Sequence, residues 1–446
     1  MRNRLVLLAA LVLTACHSSR YAGNYHSRLP RNEATAVSVN AGKASATPAV
    51  ESIGEALASA RTPLQQGIDD ILSSDTITQT AQVAVCVYDV TADCLLYDQG
   101  SQQRMRPAST EKVVTAISAL DLLGADYNLC TQLLSTAAVK GHTLQGDLYV
   151  RGVMDPLLSA ADVRSMVAQL KDAGITRIEG RLLGDASFKD ADELGWGWCW
   201  DDDNPTLSPL LCGRKPNLLA QVQATLRSMG ITVSKGTATG TAPAAARPLA
   251  TFSRPLTAVL QPMMKESDNL CAEAVFYHIA AASPTVPATT KSYSRRSAAA
   301  AINQVIAKSR QPHIEGLTMP SASIANIADG SGLSLYNYQT AETFIRLLNY
   351  AARSERILPA LWEALPIAAV DGTLKNRMGG TPAAATVRAK TGSVSAVSTL
   401  VGYTLHPMAN HLIAFAILTQ GVQQMAQGRN LQDRICALLS SANLDR

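Results

Sequence analysis

No run of eighteen or more apolar residues occurs after the first fifteen positions, and the stretch Ala396 to Val422 is broken by His406, Pro407, Asn410 and His411. An integral membrane protein is therefore excluded. Charge is scarce too: charged residues make up 17% of the 446, and 39 Lys+Arg against 35 Asp+Glu leave +4. The basic residues are scattered, with Arg295-Arg296 the notable pair away from the N-terminus. Neutralising a phosphate track needs a clustered basic face, so no nucleic-acid partner is expected. Cys-x-x-Cys and His-x-x-x-His are both missing and the seven His are dispersed, which argues against a zinc site, and no cofactor is expected. No internal repeat is apparent. What is present is a 47% apolar content, enough to fill a sizeable core, in a length that accommodates two or three domains at about 150 residues each.

Met1-Arg2-Asn3-Arg4 is a short basic segment, and Leu5 to Leu13 is apolar but too short to span a bilayer, the pattern of a secretory signal. Leu13-Thr14-Ala15-Cys16 resembles the lipobox of bacterial lipoproteins, which makes Cys16 the expected lipidation site and residues 1–16 a lipoprotein signal peptide with its lipobox cysteine. Loss of Arg2 and Arg4 with that signal takes Lys+Arg from 39 to 37 against 35 Asp+Glu, close to neutral. The chain is thus expected to be exported and lipid-anchored to a bacterial membrane, facing the periplasm or cell wall, with the lipid on Cys16 its only membrane contact. Seven cysteines follow Cys16, so at least one thiol stays free. Cys86 with Cys94 and Cys199 with Cys212 are the two candidate bridges, although spacing does not establish connectivity.

Residues 17–50 are rich in Ser, Ala, Thr, Gly and Asn and read as a flexible tether. Helical spacing follows over Glu51 to Ser74, then two strands within Gln82 to Tyr97 around an Asp89–Asp93 turn, then a helix over Thr110 to Leu123. The texture then changes to short strands and turns, with helices near Ala160–Ala173 and Pro216–Met229. This is expected to be an inserted α+β domain over 126–251. Pro255 opens a helical phase running through Leu270–Ala281, Arg296–Ala307, Tyr338–Ala352 and Ala360–Leu365, and two apolar strands, Val394–Tyr403 and His411–Thr419, precede a last helix.

Three short motifs carry chemistry. Ser109-Thr110-Glu111-Lys112 starts an apolar helix, placing Lys112 one turn from Ser109 on the same face. A serine hydroxyl needs a neighbour to take its proton, and a lysine does so once burial or another cation depresses its pKa. The helix start adds N–H groups able to hold an oxyanion. Ser267-Asp268-Asn269 heads a second helix, where by itself it reads as helix capping. Lys390-Thr391-Gly392-Ser393 precedes an apolar strand, Gly392 allowing close backbone approach and Lys390 offering a cation for a carboxylate.

In that order, Ser-x-x-Lys, Ser-Asp-Asn and Lys-Thr-Gly form the set found in penicillin-binding proteins and active-site serine β-lactamases. The spacing leaves 158 positions (267 − 109) for an insert and 123 (390 − 267) for a helical subdomain. Further stretches match Gly146 to Gly152 with Asp155-Pro156, Gly197 to Asp202, Leu270 with Ala272-Glu273, Asp329 to Ser334 and Val370 to Leu374. With these the chain resembles the D-alanyl-D-alanine carboxypeptidase/endopeptidase family, the class C low-molecular-mass penicillin-binding proteins, in a lipoprotein form. The resemblance implies an α/β (α+β, multi-domain) fold: a discontinuous penicilloyl-serine-transferase, β-lactamase-like domain over 51–125 and 252–446, its antiparallel sheet flanked by helices, plus the insert. It departs from the family at Leu335, where an Arg is common, and at Leu207, where an aromatic is common. Three of the four Trp lie near Asp202 and read equally as packing or as substrate walls.

The implied activity is that of a serine D,D-peptidase on peptidoglycan stem peptides, with penicillin and other β-lactams bound covalently. Ser109 would attack, Lys112 accept its proton, Ser267 relay a proton to the leaving amine, and Asn269 orient the peptide. Lys390 would attract the terminal carboxylate, with Thr391, Gly392 and Ser393 lining its place and Asp202 binding the stem-peptide amine. Repulsion between the two lysines would lower the Lys112 pKa. A β-lactamase-type hydrolase and a non-catalytic peptidoglycan-binding lipoprotein are the alternatives. No Glu-x-x-x-Asn element, the kind that supplies a deacylating carboxylate, lies between Ser109 and Ser267. Removal of a terminal D-Ala and cleavage of a cross-link remain undistinguished, and so does the oligomeric state.

Overall fold

The computed structural model describes residues 61–283, 292–310, 314, 317 and 325–444. Contacts group them into a body, residues 68–442, and a small unit formed by the described residues before Ile68 with Asn443 and Leu444. Cys16, the signal segment and the tether lie outside the described residues, as does the expected helix before Arg61.

The chain runs through α1 (Pro63–Ser74), the hairpin β1 (Gln82–Asp89) and β2 (Cys94–Gln99), a short 3-10 turn at Ala108–Thr110, and α2 (Glu111–Leu122). Then come β3 (Asn128–Ser135), β4 (Val139–Lys140), β5 (Thr143–Leu144), β6 (Leu148–Arg151), α3 (Ala160–Asp172), β7 (Arg177–Ile178) and β8 (Leu182–Asp185). They continue with α4 (Leu218–Ser228), β9 (Thr232–Val233), β10 (Thr237–Thr239) and β11 (Arg247–Pro255). A helical stretch follows, α5 (Leu256–Lys265), α6 (Asn269–Ile279), α7 (Arg295–Ser309), α8 (Ala341–Ala352) and α9 (Leu358–Ala364). The chain closes with β12 (Val387–Val394), β13 (Val397–Leu405), β14 (Leu412–Gln420) and α10 (Met425–Leu439).

One antiparallel sheet has the order β12-β13-β14-β1-β2. Successive side chains of a strand point to opposite faces. On β13, Tyr403 donates its hydroxyl to the Leu348 carbonyl of α8 (2.7 Å), whereas Ser398 accepts from Gln432 Nε2 of α10 (3.0 Å). Odd and even positions therefore face different helices, and both faces are covered. That is why β13 and β14 are buried almost end to end instead of alternating. On the α8 side lie α2 and α6, whose Val113, Val114, Ile117, Leu120, Val275 and Phe276 are buried on every face, as helices at the centre of a core are.

Residues 128–255 build a second sheet, β10-β8-β6-β3-β11, and a small one, β4-β5-β7-β9, around a core of their own that includes Leu148, Val150, Val163, Met166, Leu182 and Val222. β8 and β10 run parallel with α4 between them in sequence, since parallel neighbours need a crossover. Asn128 pairs with Pro255, and Leu256 N–H donates to the Tyr127 carbonyl (2.8 Å), so this segment begins and ends at one place.

Three expectations change. The apolar stretch Val394–Tyr403 is not one strand but the end of β12, a turn with Ala396 at φ +60°, and most of β13. The polar Lys390-Thr391-Gly392-Ser393 run shows no alternation of its own and is a strand because β13 pairs with it, Lys390 opposite Val401. None of the seven described cysteines is in a disulfide, so neither candidate bridge forms. In the hairpin Cys86 pairs with Asp98 and Cys94 with Asp89, which sets the two thiols several residues apart along the strands, and Cys212 is buried in the 128–255 core.

Candidate active site

Ser109 sits in the 3-10 turn that feeds α2, and its predecessor Ala108 is held at φ +47°, a left-handed conformation that non-glycine residues rarely adopt. The turn is pinned from the sheet: Thr399 donates to the Pro107 carbonyl (2.8 Å), and Thr110 donates to the same oxygen (2.6 Å). Two glycines make the approach feasible. A Cβ on Gly392 would lie 2.1 Å from Thr399 Oγ1 and 2.7 Å from the Pro107 carbonyl oxygen, and one on Gly332 would lie 1.9 Å from the Ala108 oxygen.

Lys112 is wholly buried, and its Nζ lies 3.0 Å from Ser109 Oγ, 2.8 Å from Asn269 Oδ1 and 2.7 Å from the Ser331 carbonyl oxygen. The last two groups only accept, so they take the two N–H bonds of a neutral amine and leave its lone pair for the Ser109 hydroxyl. Burial pulls the Lys112 pKa down to about 8, against the pull of the Asp329 and Glu273 carboxylates. The expected cause was repulsion between lysines. That repulsion falls on Lys390, which burial first and Lys112 second hold well below its ordinary value.

The Ser331 carbonyl is itself held in place. Glu273 Oε1 accepts the Gly330 and Ser331 N–H groups (3.2 and 2.9 Å), and Thr115 donates to the Gly330 carbonyl (2.8 Å). Asp329 accepts from Gly332 N–H (2.8 Å), Ser334 N–H (2.7 Å) and Trp198 Nε1 (2.8 Å). Burial raises the Glu273 carboxyl to about 8.

Ser267 and Asn269 flank the N-cap of α6. Asp268 caps the helix, accepting the Cys271 N–H at 3.0 Å, so the capping reading is true of the middle residue while its neighbours face the lysines. Ser267, at φ +62°, accepts from Lys390 Nζ at 2.9 Å, and Lys390 also donates to the Thr391 carbonyl (2.7 Å). Thr391 Oγ1 donates to Thr373 Oγ1 (2.8 Å), while the Ser393 side chain is exposed farther along β12. Three motifs remote in sequence thus meet as two serine–lysine pairs. A nucleophile, a base and a proton relay around one reacting carbonyl are what acyl transfer requires.

Asp202 is not drawn into this cluster by any hydrogen bond: it is exposed, and its carboxylate has no partner among the described residues. Leu207 packs in the main core at 2% exposure, and Leu335 meets the Trp198 loop through its N–H, which donates to the Gly197 carbonyl (3.1 Å). Of the three clustered tryptophans, Trp198 packs and bonds Asp329, Trp196 stacks on Tyr336, and Trp200 is 92% exposed. The sequence reading gave no individual role to Ser331, Glu273 or Thr373, although each lies in a stretch matching the family pattern. Arg214, which forms a bidentate pair with Asp268, had no signal at all.

A family profile described as D-Ala-D-Ala carboxypeptidase 3 (S13) matches residues 64–210 and 214–442. The D-alanyl-D-alanine carboxypeptidase of Actinomadura sp. (strain R39) is 27% identical, the alignment covering 81% of each chain. The D-alanyl-D-alanine carboxypeptidase DacB of Haemophilus influenzae is 26% identical over 73% of this chain and 83% of its own. Among solved structures, penicillin binding protein 4 of Haemophilus influenzae superposes with a TM-score of 0.71 at 24% identity, covering 83% of this chain and 99% of the other.

Proposed function

The chain belongs to the D-Ala-D-Ala carboxypeptidase 3 (S13) family, and from that premise we propose that it is a serine D,D-peptidase of peptidoglycan stem peptides whose nucleophile is Ser109 and whose base is Lys112. The observation that carries the assignment is the Lys112 amine, aimed at Ser109 Oγ by two fixed acceptors, Asn269 Oδ1 and the Ser331 carbonyl.

Ser109 Oγ attacks the carbonyl carbon of the penultimate D-Ala while its proton passes to Lys112 Nζ. The N–H groups of Ser109 and Ser393 hold the oxyanion. The C–N bond then breaks, and the departing amine takes a proton from Ser267, which Lys390 replaces, leaving an ester on Ser109. Water hydrolyses the ester by the same steps in reverse. The C-terminal carboxylate is received beside Lys390, Thr391, Gly392 and Ser393, and its charge restores the Lys390 cation that burial opposes. Asn269 orients the peptide, and Asp202 binds the stem-peptide amine. A β-lactam acylates Ser109 and stays attached, because no Glu-x-x-x-Asn element between Ser109 and Ser267 supplies a deacylating carboxylate.

The same reading makes residues 51–125 and 252–446 the peptidase domain and 126–251 an inserted domain, with Cys16 lipidated and residues 17–50 a tether to a bacterial membrane. Among the described residues no helix is long and apolar enough to cross one.

The test uses the chain from residue 17 onward, incubated with pentapeptide and with cross-linked dimer muropeptides, products read by mass spectrometry, with Ser109→Ala as control. Loss of one alanine identifies carboxypeptidase action, and dimers converted to monomers identify endopeptidase action. Wild type indistinguishable from Ser109→Ala on both substrates overturns the assignment.

A further inference from the structure

The turn between β8 and α4 reaches the Ser267-Asp268-Asn269 motif. Arg214 Nη1 donates to Asp268 Oδ2 at 2.7 Å and Nη2 to Asp268 Oδ1 at 3.1 Å, a two-pronged clamp on the residue that joins Ser267 to Asn269. With Cys271 N–H on Oδ1 (3.0 Å), both carboxylate oxygens are committed. Asp268 is thereby fixed against rotation, Ser267 at φ +62° on one side and the first residue of α6 on the other.

The turn that carries Arg214 is anchored away from the site. Cys212 is buried in the 128–255 core, its N–H donates to the Lys215 carbonyl (2.9 Å), and Gly213 N–H donates to the Leu158 carbonyl (2.8 Å). Arg214 itself stands at φ +65°, a strained backbone for an arginine that aims its side chain at Asp268. The family match breaks over residues 211–213 and resumes at Arg214, so both ends of the clamp lie within the second matched segment. An exposed ion pair adds little to stability, and Arg214 is 49% exposed. Its strained backbone and its place across two modules are therefore better explained by geometry than by stability.

We propose that Arg214 is a positioning residue through which the 128–255 module holds Ser267 and Asn269 in register with Lys390 and Lys112. It touches no reacting atom. Losing the clamp lets the turn before α6 swing, which lengthens the contacts from Lys112 to Asn269 and from Lys390 to Ser267, and the proton transfers slow while the substrate still docks.

This rests on the assignment of Ser109 as the acylated serine, so the experiment measures that first: second-order acylation by a fluorescent penicillin, alongside kcat and KM on a D-Ala-D-Ala peptide and Tm. Variants are Arg214→Ala, Arg214→Lys, Asp268→Asn and the double variant, with Lys215→Ala as a neighbouring control. Arg214→Ala is expected to lower acylation and kcat by about 10- to 100-fold with KM and Tm near wild type. Arg214→Lys restores part of the rate, Arg214→Ala with Asp268→Asn loses no more than the worse single variant, and Lys215→Ala is unchanged. Acylation of Arg214→Ala at the wild-type rate overturns the proposal, and so does a rate loss matched by a fall in Tm without rescue by lysine. Wild type that is not acylated at Ser109 overturns the function itself, a different result.

Discussion

On the proposed mechanism, the rate of attack by Ser109 depends on how often Lys112 is neutral, because only a lone pair can take the hydroxyl proton. Burial brings that amine down to about 8, so its neutral fraction climbs as pH rises toward 8 and levels above it. Acylation by a β-lactam, followed by stopped flow from pH 6 to 10, is expected to rise with pH and reach a plateau above about 8. A flat profile means that another group takes the proton. Lys112→Arg keeps the charge but cannot shed it, since guanidinium stays protonated. The loss of the base is expected to slow acylation by about 10²–10⁴-fold at every pH, with no plateau regained in alkali.

Helix and strand meet around Gly392, where β12 passes so close to the Ser109 turn that hydrogen is the largest tolerable side chain. Gly392→Ala puts a methyl 2.1 Å from Thr399 Oγ1 and is expected to lower stability by about 1–3 kcal/mol by overpacking. It should suppress acylation more than stability, by pushing the turn off Lys112; thermal melts beside penicillin labelling check this, and labelling that tracks the fraction folded would refute it. At this level the sequence was partly legible. The helices at Ala160–Ala173 and Arg296–Ala307 show as apolar spacing and occur at Ala160–Asp172 and Arg295–Ser309, because amphipathic faces write their period into the chain. β3, β11 and β12 left no such mark: each is a strand by virtue of its partner, and none of the three alternates cleanly between apolar and polar residues. The meeting of Ser109, Lys112, Ser267, Asn269 and Lys390 was legible because the three motifs that carry them are short and ordered in the sequence. Arg214 was not, since an exposed arginine in a turn looks like any other until the fold carries it to Asp268.

Among the described residues the core of the 128–255 segment meets the main core where the chain crosses between them, and His278 fills that junction. Its Nε2 faces the Val153 carbonyl at 2.8 Å and must donate to it; its Nδ1 lies 2.8 Å from the Tyr127 hydroxyl and must then accept. The neutral ring satisfies both partners, and burial depresses its pKa to about 4. In the unfolded chain the same imidazole titrates near 6.5. Below pH 6.5 the unfolded state therefore gains a proton that the folded state refuses until about 4, so this contribution to stability is present above 6.5 and drains away as pH falls between those values. His278→Gln keeps one donor and one acceptor without the titration. Its melting temperature is expected to be lower than wild type at pH 7.5 and to fall less steeply from pH 6.5 to 4, so that the two curves converge in acid. Parallel curves would show that the junction titrates elsewhere. Because the neck that His278 fills carries the module from which Arg214 reaches the site, acid loosening there has a second consequence. Acylation measured after return to pH 7.5 from a brief exposure to pH 4.5 should recover fully, as expected for a reversible loosening of the neck and not for loss of the Ser109 turn, which draws its own bonds from Thr399 of the sheet.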